Sequence, residues 1–196
     1  MTIDLGALLD STGAILRGHF LLTSGRHSDV YFEKFRVLER PDAVVALCGQ
    51  IAVHFKDSGV THVAGPTTGG IILAFEVARQ MGVHAIYVES VDGKKTLRRN
   101  AEVPDGAKIL VVDDVFTTGR SVVEVLELLA TYPAATVVGA ASLIDRAQAP
   151  VELGVPYFTA YKVEATSYAP DQIPDWLAKI PITKPGTRTT THEAPL

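Results

Sequence analysis

An α/β fold with a mostly parallel, twisted sheet flanked by helices is the fold class this sequence predicts, and three observations predict it. From residue 61 onward, short apolar runs alternate with segments of helical periodicity, the rhythm of strand–helix–strand units with right-handed crossovers. Ile109-Leu110-Val111-Val112 is a compact apolar run, as expected of a central strand covered on both faces. The 196 residues, 47% of them apolar, are enough for one well-filled core with a small appendage.

In order along the chain, Leu5, Leu8, Leu9 and Thr12 recur at helical spacing and predict a short opening helix, which Gly13 and Gly18 interrupt. Residues 20–22 and 30–32 read as short strands around the polar turn 23–28. Pro41 opens a second helix to about residue 56, placed in the first turn where its missing N–H costs little. The alternation then gives a strand at 61–64, a helix at 70–81, a strand at 85–88 and a polar loop at 89–102. A strand at 108–112, a helix at 121–129 and a strand at 136–144 complete it. Residues 184–196 are polar with Pro and Thr, and are expected to be poorly ordered.

Composition excludes several classes. A formal net charge of -4 and a pI near 5.8 disfavour general nucleic-acid binding, which needs a basic face. No apolar run is long enough for a membrane span. Residues 1–5 show no basic flank leading into an apolar stretch, so no signal peptide is expected. Cys48, the single cysteine, sits in the apolar run 44–48 and reads as a small buried hydrophobe. A cytoplasmic setting is the expectation.

The strongest chemical signal follows the central strand: Asp113-Asp114-Val115-Phe116-Thr117-Thr118-Gly119-Arg120-Ser121. In an open parallel sheet, ligands bind at the carboxyl ends of strands. A helix start there offers N–H groups and a positive dipole end to a phosphate. Gly119 permits close backbone approach, while Thr117, Thr118 and Ser121 add hydroxyl donors. Two adjacent acids beside a phosphate site would repel each other and the ligand unless they met hydroxyls or a metal; ribose hydroxyls are good partners for carboxylates, so a phosphorylated sugar satisfies both halves. An ordinary strand-to-helix turn with an Asp or Thr N-cap accounts for one acid and one Thr, and leaves the second acid, the further hydroxyls and the glycine unexplained. No Walker A or Gly-x-Gly-x-x-Gly string occurs.

This stretch resembles the phosphoribosyl pyrophosphate (PRPP) signature of type I phosphoribosyltransferases. The resemblance implies that Asp113 and Asp114 hold the ribose hydroxyls and Thr117, Thr118, Gly119, Arg120 and Ser121 the 5′-phosphate. From about residue 6 to 188 the chain is similar to orotate phosphoribosyltransferases in particular. Residues 18–32, with Ser24-Gly25-Arg26 and the pair Tyr31-Phe32, resemble that family's N-terminal hood, whose aromatics help enclose orotate. Residues 65–70 resemble its pyrophosphate loop, which implies Thr68 and Gly69 as PRPP contacts, and Asp145-Arg146 matches an Asp-Arg whose Arg reaches orotate, with Thr117 beside it. Without the resemblance, these segments read equally as a hairpin with core aromatics, a tight strand–helix connection and a strand-end ion pair.

The segment 89–102 resembles the family's mobile catalytic loop, which in a homodimer reaches the neighbouring site. Lys94, Lys95, Arg98 and Arg99 put four cations within six positions, suited to stabilising departing pyrophosphate; read alone, the run is also a plain solvated basic loop. The loop lacks the usual His and matches the branch with Gly-Lys-x-Thr-Leu-Arg-Arg, in which a basic residue is usual where Ser90 stands. The catalytic cations are assigned to Lys94 and Arg98. The resemblance further implies a hood over residues 1–40 with C-terminal contributions, a PRPP-binding core over 41–165, a C-terminal segment over 166–196, and Mg²⁺ carried by PRPP with no direct protein ligand. PRPP and orotate are the expected partners. A PRPP-sensing regulator without turnover is the alternative from another class.

Overall fold

Asp4 opens the first helix by accepting a hydrogen bond from Ala7 N–H at 3.0 Å, and Gly13, at φ 66°, closes it. The computed structural model describes residues 4–22, 24–98 and 101–183. In chain order, α1 (Leu5–Thr12) leads to β1 (Ile15–Leu21), β2 (His27–Phe32), α2 (Lys34–Leu38) and α3 (Pro41–His54). Next come β3 (His62–Pro66), α4 (Gly69–Met81), β4 (His84–Val91) and β5 (Lys94–Thr96). They are followed by β6 (Lys108–Phe116), α5 (Arg120–Leu129), β7 (Thr136–Asp145) and β8 (Tyr157–Lys162). The last described elements are β9 (Ser167–Tyr168), α6 (Asp175–Ala178) and β10 (Ile182–Thr183). The expected tail at 184–196 lies outside the described residues.

The chain divides into two units, one formed by residues up to Ala14 with Lys34–Glu164, the other by Ile15–Glu33 with the residues from Ala165 on. The expected hood, 1–40, is therefore split. Leu9 of α1 and Val37 of α2 are buried, and both helices pack with α3 in the first unit.

The first unit is built on a six-stranded sheet of order β5-β4-β3-β6-β7-β8. All its pairings are parallel except the β4–β5 hairpin at one edge. That hairpin corrects the expectation of an irregular loop from residue 89. Asp92 (φ 50°) and Gly93 (φ 76°) form a two-residue turn, both left-handed as the twist of a hairpin requires.

Along β6, alternate residues face opposite layers. Ile109 and Val111 pack with Val122, Val125 and Leu129 of α5. Leu110 and Val112, also fully buried, face the layer of α3 and α4. β8 was not expected from the sequence; it adds an edge strand beside β7 through the register Ala141↔Phe158. Cys48 is buried within α3, and burial, then Glu76, pushes its thiol up to about 12. It is inert packing, as the sequence reading held.

The second unit is a four-stranded sheet of order β10-β1-β2-β9. His19 Nδ1 donates to Ile180 O at 3.0 Å, and its Nε2 lies 2.6 Å from His27 Nδ1. Arg26 donates to both Oγ and O of Ser167, each at 2.7 Å. The Ser-Gly-Arg turn thus fastens the C-terminal strands to the β1–β2 pair.

Candidate active site

The strand order reverses between β3 and β6: β3 leads through α4 to β4 on one side, and β6 leads through α5 to β7 on the other. In open α/β sheets the crevice at such a switch point, outside the carboxyl ends of the strands, is where ligands bind. Residues 67–70 and 113–121 emerge there from adjacent strands.

β6 continues in extended form through Asp113 and Asp114 to Phe116, so the two acids face opposite ways. Asp113, in phase with Ile109 and Val111, faces α5 and meets Ser121. Asp114, in phase with Leu110 and Val112, faces α4. Its Oδ2 accepts a 2.9 Å ion pair from Lys34 Nζ, and its carboxylate lies so close to Gly69 that a Cβ there would overlap it. Gly69 is therefore required by the acid that faces it. The Thr67–Thr68 peptide just before it is cis.

Both acids are buried. Each also binds backbone, Asp113 Oδ1 accepting from Asp114 N–H at 2.9 Å and Asp114 Oδ1 from Val115 N–H at 2.7 Å. Burial first, then the neighbouring Asp114 charge, pushes the Asp113 carboxyl up to about 6. Hydrogen bonds from Asp114 N–H and Ser121, and the charge of Lys34, pull the other way.

The turn after β6 forms a cavity of about 440 Å³. It gathers Asp113, Thr117, Thr118, Gly119, Arg120 and Ser121 from the predicted set. Gly119 is the N-cap of α5 at φ 72°, with no side-chain cap, and a Cβ there would meet Phe116 Cζ at 2.7 Å. An acidic N-cap therefore does not explain the motif. The first N–H groups of α5 open onto a cavity ringed by hydroxyls, which is the construction of an anion site.

The remaining predicted residues are distributed differently. Lys94 is exposed and does not line this cavity, whereas Lys95, on the opposite face of β5, does. Lys95 Nζ donates to Ser90 Oγ at 3.0 Å and lies 3.9 Å from Glu124 Oε2. Glu124 Oε1 also accepts from Arg120 Nε at 2.8 Å. Arg98 lines a separate cavity of about 700 Å³ and stands 3.7 Å from Glu89. Arg146 follows β7, its N–H bonded to Phe116 O at 2.8 Å, while Asp145 Oδ1 accepts from Ala147 N–H at 2.7 Å.

Tyr31 and Phe32 belong to the second unit. As neighbours on one strand they face opposite ways. Tyr31 is half-buried with its ring 5.7 Å from Phe20, and Phe32 is buried at 5% exposure. Lys34, Lys95 and Glu124 are the site residues that the sequence reading did not assign. Hairpin chemistry at Asp92-Gly93 could have found Lys95, since it sets which lysine faces inward. Nothing local in the sequence marks Lys34.

The site thus combines a switch-point crevice, a buried acid pair and an uncapped, hydroxyl-rich helix start. The sequence profile of the phosphoribosyl transferase domain matches residues 38–168. The orotate phosphoribosyltransferase of Chlorobaculum parvum is 45% identical over 183 residues, covering 93% of this chain and 94% of the relative. That of Pelotomaculum thermopropionicum is 44% identical, covering 94% and 97%. The crystal structure of orotate phosphoribosyltransferase from Aeropyrum pernix superposes with a TM-score of 0.67 at 28% identity, covering 81% of this chain and 93% of that one. The chain belongs to the orotate phosphoribosyltransferase family.

Proposed function

We propose that this chain transfers the phosphoribosyl group of PRPP to orotate, giving orotidine 5′-phosphate and pyrophosphate in the synthesis of UMP. The observation that carries the reading is the cavity at the end of β6, where Asp113, the hydroxyls of 117–121 and the uncapped start of α5 converge. In this reading the turn 117–121 holds the 5′-phosphate, Asp113 and Asp114 the ribose hydroxyls, and Thr68 with Gly69 the pyrophosphate. Arg146, whose guanidinium fork suits a planar carboxylate, is assigned to orotate, as are Thr117, Tyr31 and Phe32. The hood in this reading remains residues 1–40 with C-terminal contributions, and residues 15–33 of it share a unit with the C-terminal strands.

A ring nitrogen of orotate attacks the anomeric carbon as its bond to pyrophosphate breaks. The protein orients the two reactants and stabilises charge, and no covalent enzyme intermediate is needed. Mg²⁺, a hard ion suited to phosphates rather than to a protein cage, would be carried by PRPP and would supply charge neutralisation to the leaving group. The acids fit that role at one remove: Asp114 is engaged by Lys34, and Asp113 sits in a buried site that disfavours its charge. A homodimer in which part of the 89–102 segment reaches the neighbouring site is part of the proposal. A cytoplasmic setting is supported by the lone, buried thiol of Cys48.

The test is the ultraviolet absorbance of orotate with PRPP and Mg²⁺, against uracil, hypoxanthine and adenine as rival acceptors. Loss of orotate alone, dependent on PRPP, is expected. Turnover only with another base would overturn the orotate assignment. PRPP binding without turnover would favour the regulator.

A further inference from the structure

Lys95 is the one residue of the cationic segment, among those described, whose side chain the fold turns into the phosphate cavity. The Asp92-Gly93 turn sets the register Ser90↔Lys95 across the hairpin, and the alternation of β5 leaves Lys94 outside. The Lys95 side chain is only 9% exposed, so its ammonium is held largely out of bulk water, where screening is weak. Of its three N–H donors, one is used by Ser90 Oγ at 3.0 Å. Glu124 Oε2, at 3.9 Å, balances its charge without a close hydrogen bond, because the same carboxylate is engaged by Arg120 at 2.8 Å. Ser90 is neutral, so the cation on this face of the hairpin comes from Lys95.

We infer that Lys95 is the ammonium that meets the 5′-phosphate of PRPP in the cradle of its own chain, with Glu124 as its counter-ion while the cradle is free. This rests on reading the cradle as the 5′-phosphate site. A phosphate entering among Thr117, Thr118 and Ser121 supplies the close acceptors that Glu124 does not, and Lys95 exchanges one anion for the other. Glu124 is then a positioning residue: it keeps two cations, Lys95 and Arg120, at the rim of the cradle.

Ribose 5-phosphate binding, measured by calorimetry on the full chain, tests this without turnover. Lys95→Met, which keeps the aliphatic stem, is expected to bind about tenfold more weakly, the loss of roughly one charge-assisted hydrogen bond. Lys95→Arg should retain most of the affinity, and Lys56→Met, at an exposed lysine beyond α3, should match the parent. Glu124→Gln should bind several-fold more tightly, because the phosphate no longer competes with a carboxylate. Lys95→Met binding as the parent does, or Glu124→Gln binding no more tightly, would overturn the inference and leave the cradle reading standing. No binding of ribose 5-phosphate by the parent protein would overturn the cradle reading, and this inference with it.

Discussion

Asp113 is held in the folded protein at a cost, and replacing it should make the fold more stable. Its carboxyl rises from 3.8 to about 6, through burial and then through Asp114. A folded-state pKa above the unfolded value means that ionisation opposes folding. The penalty is absent below about pH 3.8, grows through the window up to about 6, and is complete above it. At ~1.4 kcal/mol per pH unit it reaches about 3 kcal/mol. Asp113→Asn removes the charge and keeps an oxygen that can accept from Asp114 N–H. Thermal unfolding at pH 7.5 should therefore show a Tm gain of about 5–10 °C. At pH 4.5 only about a third of the stabilisation should remain, because the parent's carboxyl is then mostly protonated in the fold. Turnover with PRPP should fall sharply in the same variant, since a ribose contact is lost. An equal Tm gain at both pH values, or a lower Tm at pH 7.5, would refute the argument from burial and repulsion.

Two further substitutions probe the other side of β6. Lys34→Met removes the cation facing Asp114. With the Lys34 side chain 38% exposed, the cost at pH 7.5 should be about 1–2 kcal/mol, between surface and buried ion pairs. Thermal unfolding should show the loss, and an unchanged Tm would show that the pair adds nothing to stability. Gly69→Ala puts a methyl where the Asp114 carboxylate lies and should weaken PRPP binding at least tenfold, about 1–3 kcal/mol of forced displacement. Calorimetry giving unchanged affinity would show that the acid and the 67–70 loop do not act together.

The sequence made legible whatever depends on neighbours along the chain. The run Ile109–Val112 required two covered faces, and it lies at the centre of the sheet between α5 and the α3–α4 layer. The acid pair and the turn after it announced an anion site, and six of the predicted residues line one cavity. What depends on distant pairing was hidden. The reversal between β3 and β6, which brings Gly69 against Asp114, follows from strand order and not from either segment alone. Lys34 lies 80 positions from its partner. Other readings missed signals that were present. Asp92-Gly93 is a strong hairpin dipeptide, and read as one it would have moved the inward cation from Lys94 to Lys95. The aromatic and β-branched run at 157–161 likewise carries the composition of a strand.

The pairings around β6 bear on how a doubly acidic site can bind a polyanion. Asp113 and Asp114 would repel a sugar phosphate if both faced it with full charge. The strand points them apart, and Asp114 is further moderated by Lys34 at 2.9 Å. On the opposite rim, Glu124 holds Lys95 and Arg120. The site therefore pairs Asp114 with Lys34, and Lys95 and Arg120 with Glu124. Ligand entry on this view is an exchange of partners: the phosphate displaces a carboxylate from cations that stay where they are. Such exchange favours the ligand through geometry, because the helix N–H groups and the hydroxyls of 117–121 can serve a phosphate and have no equivalent use for Glu124.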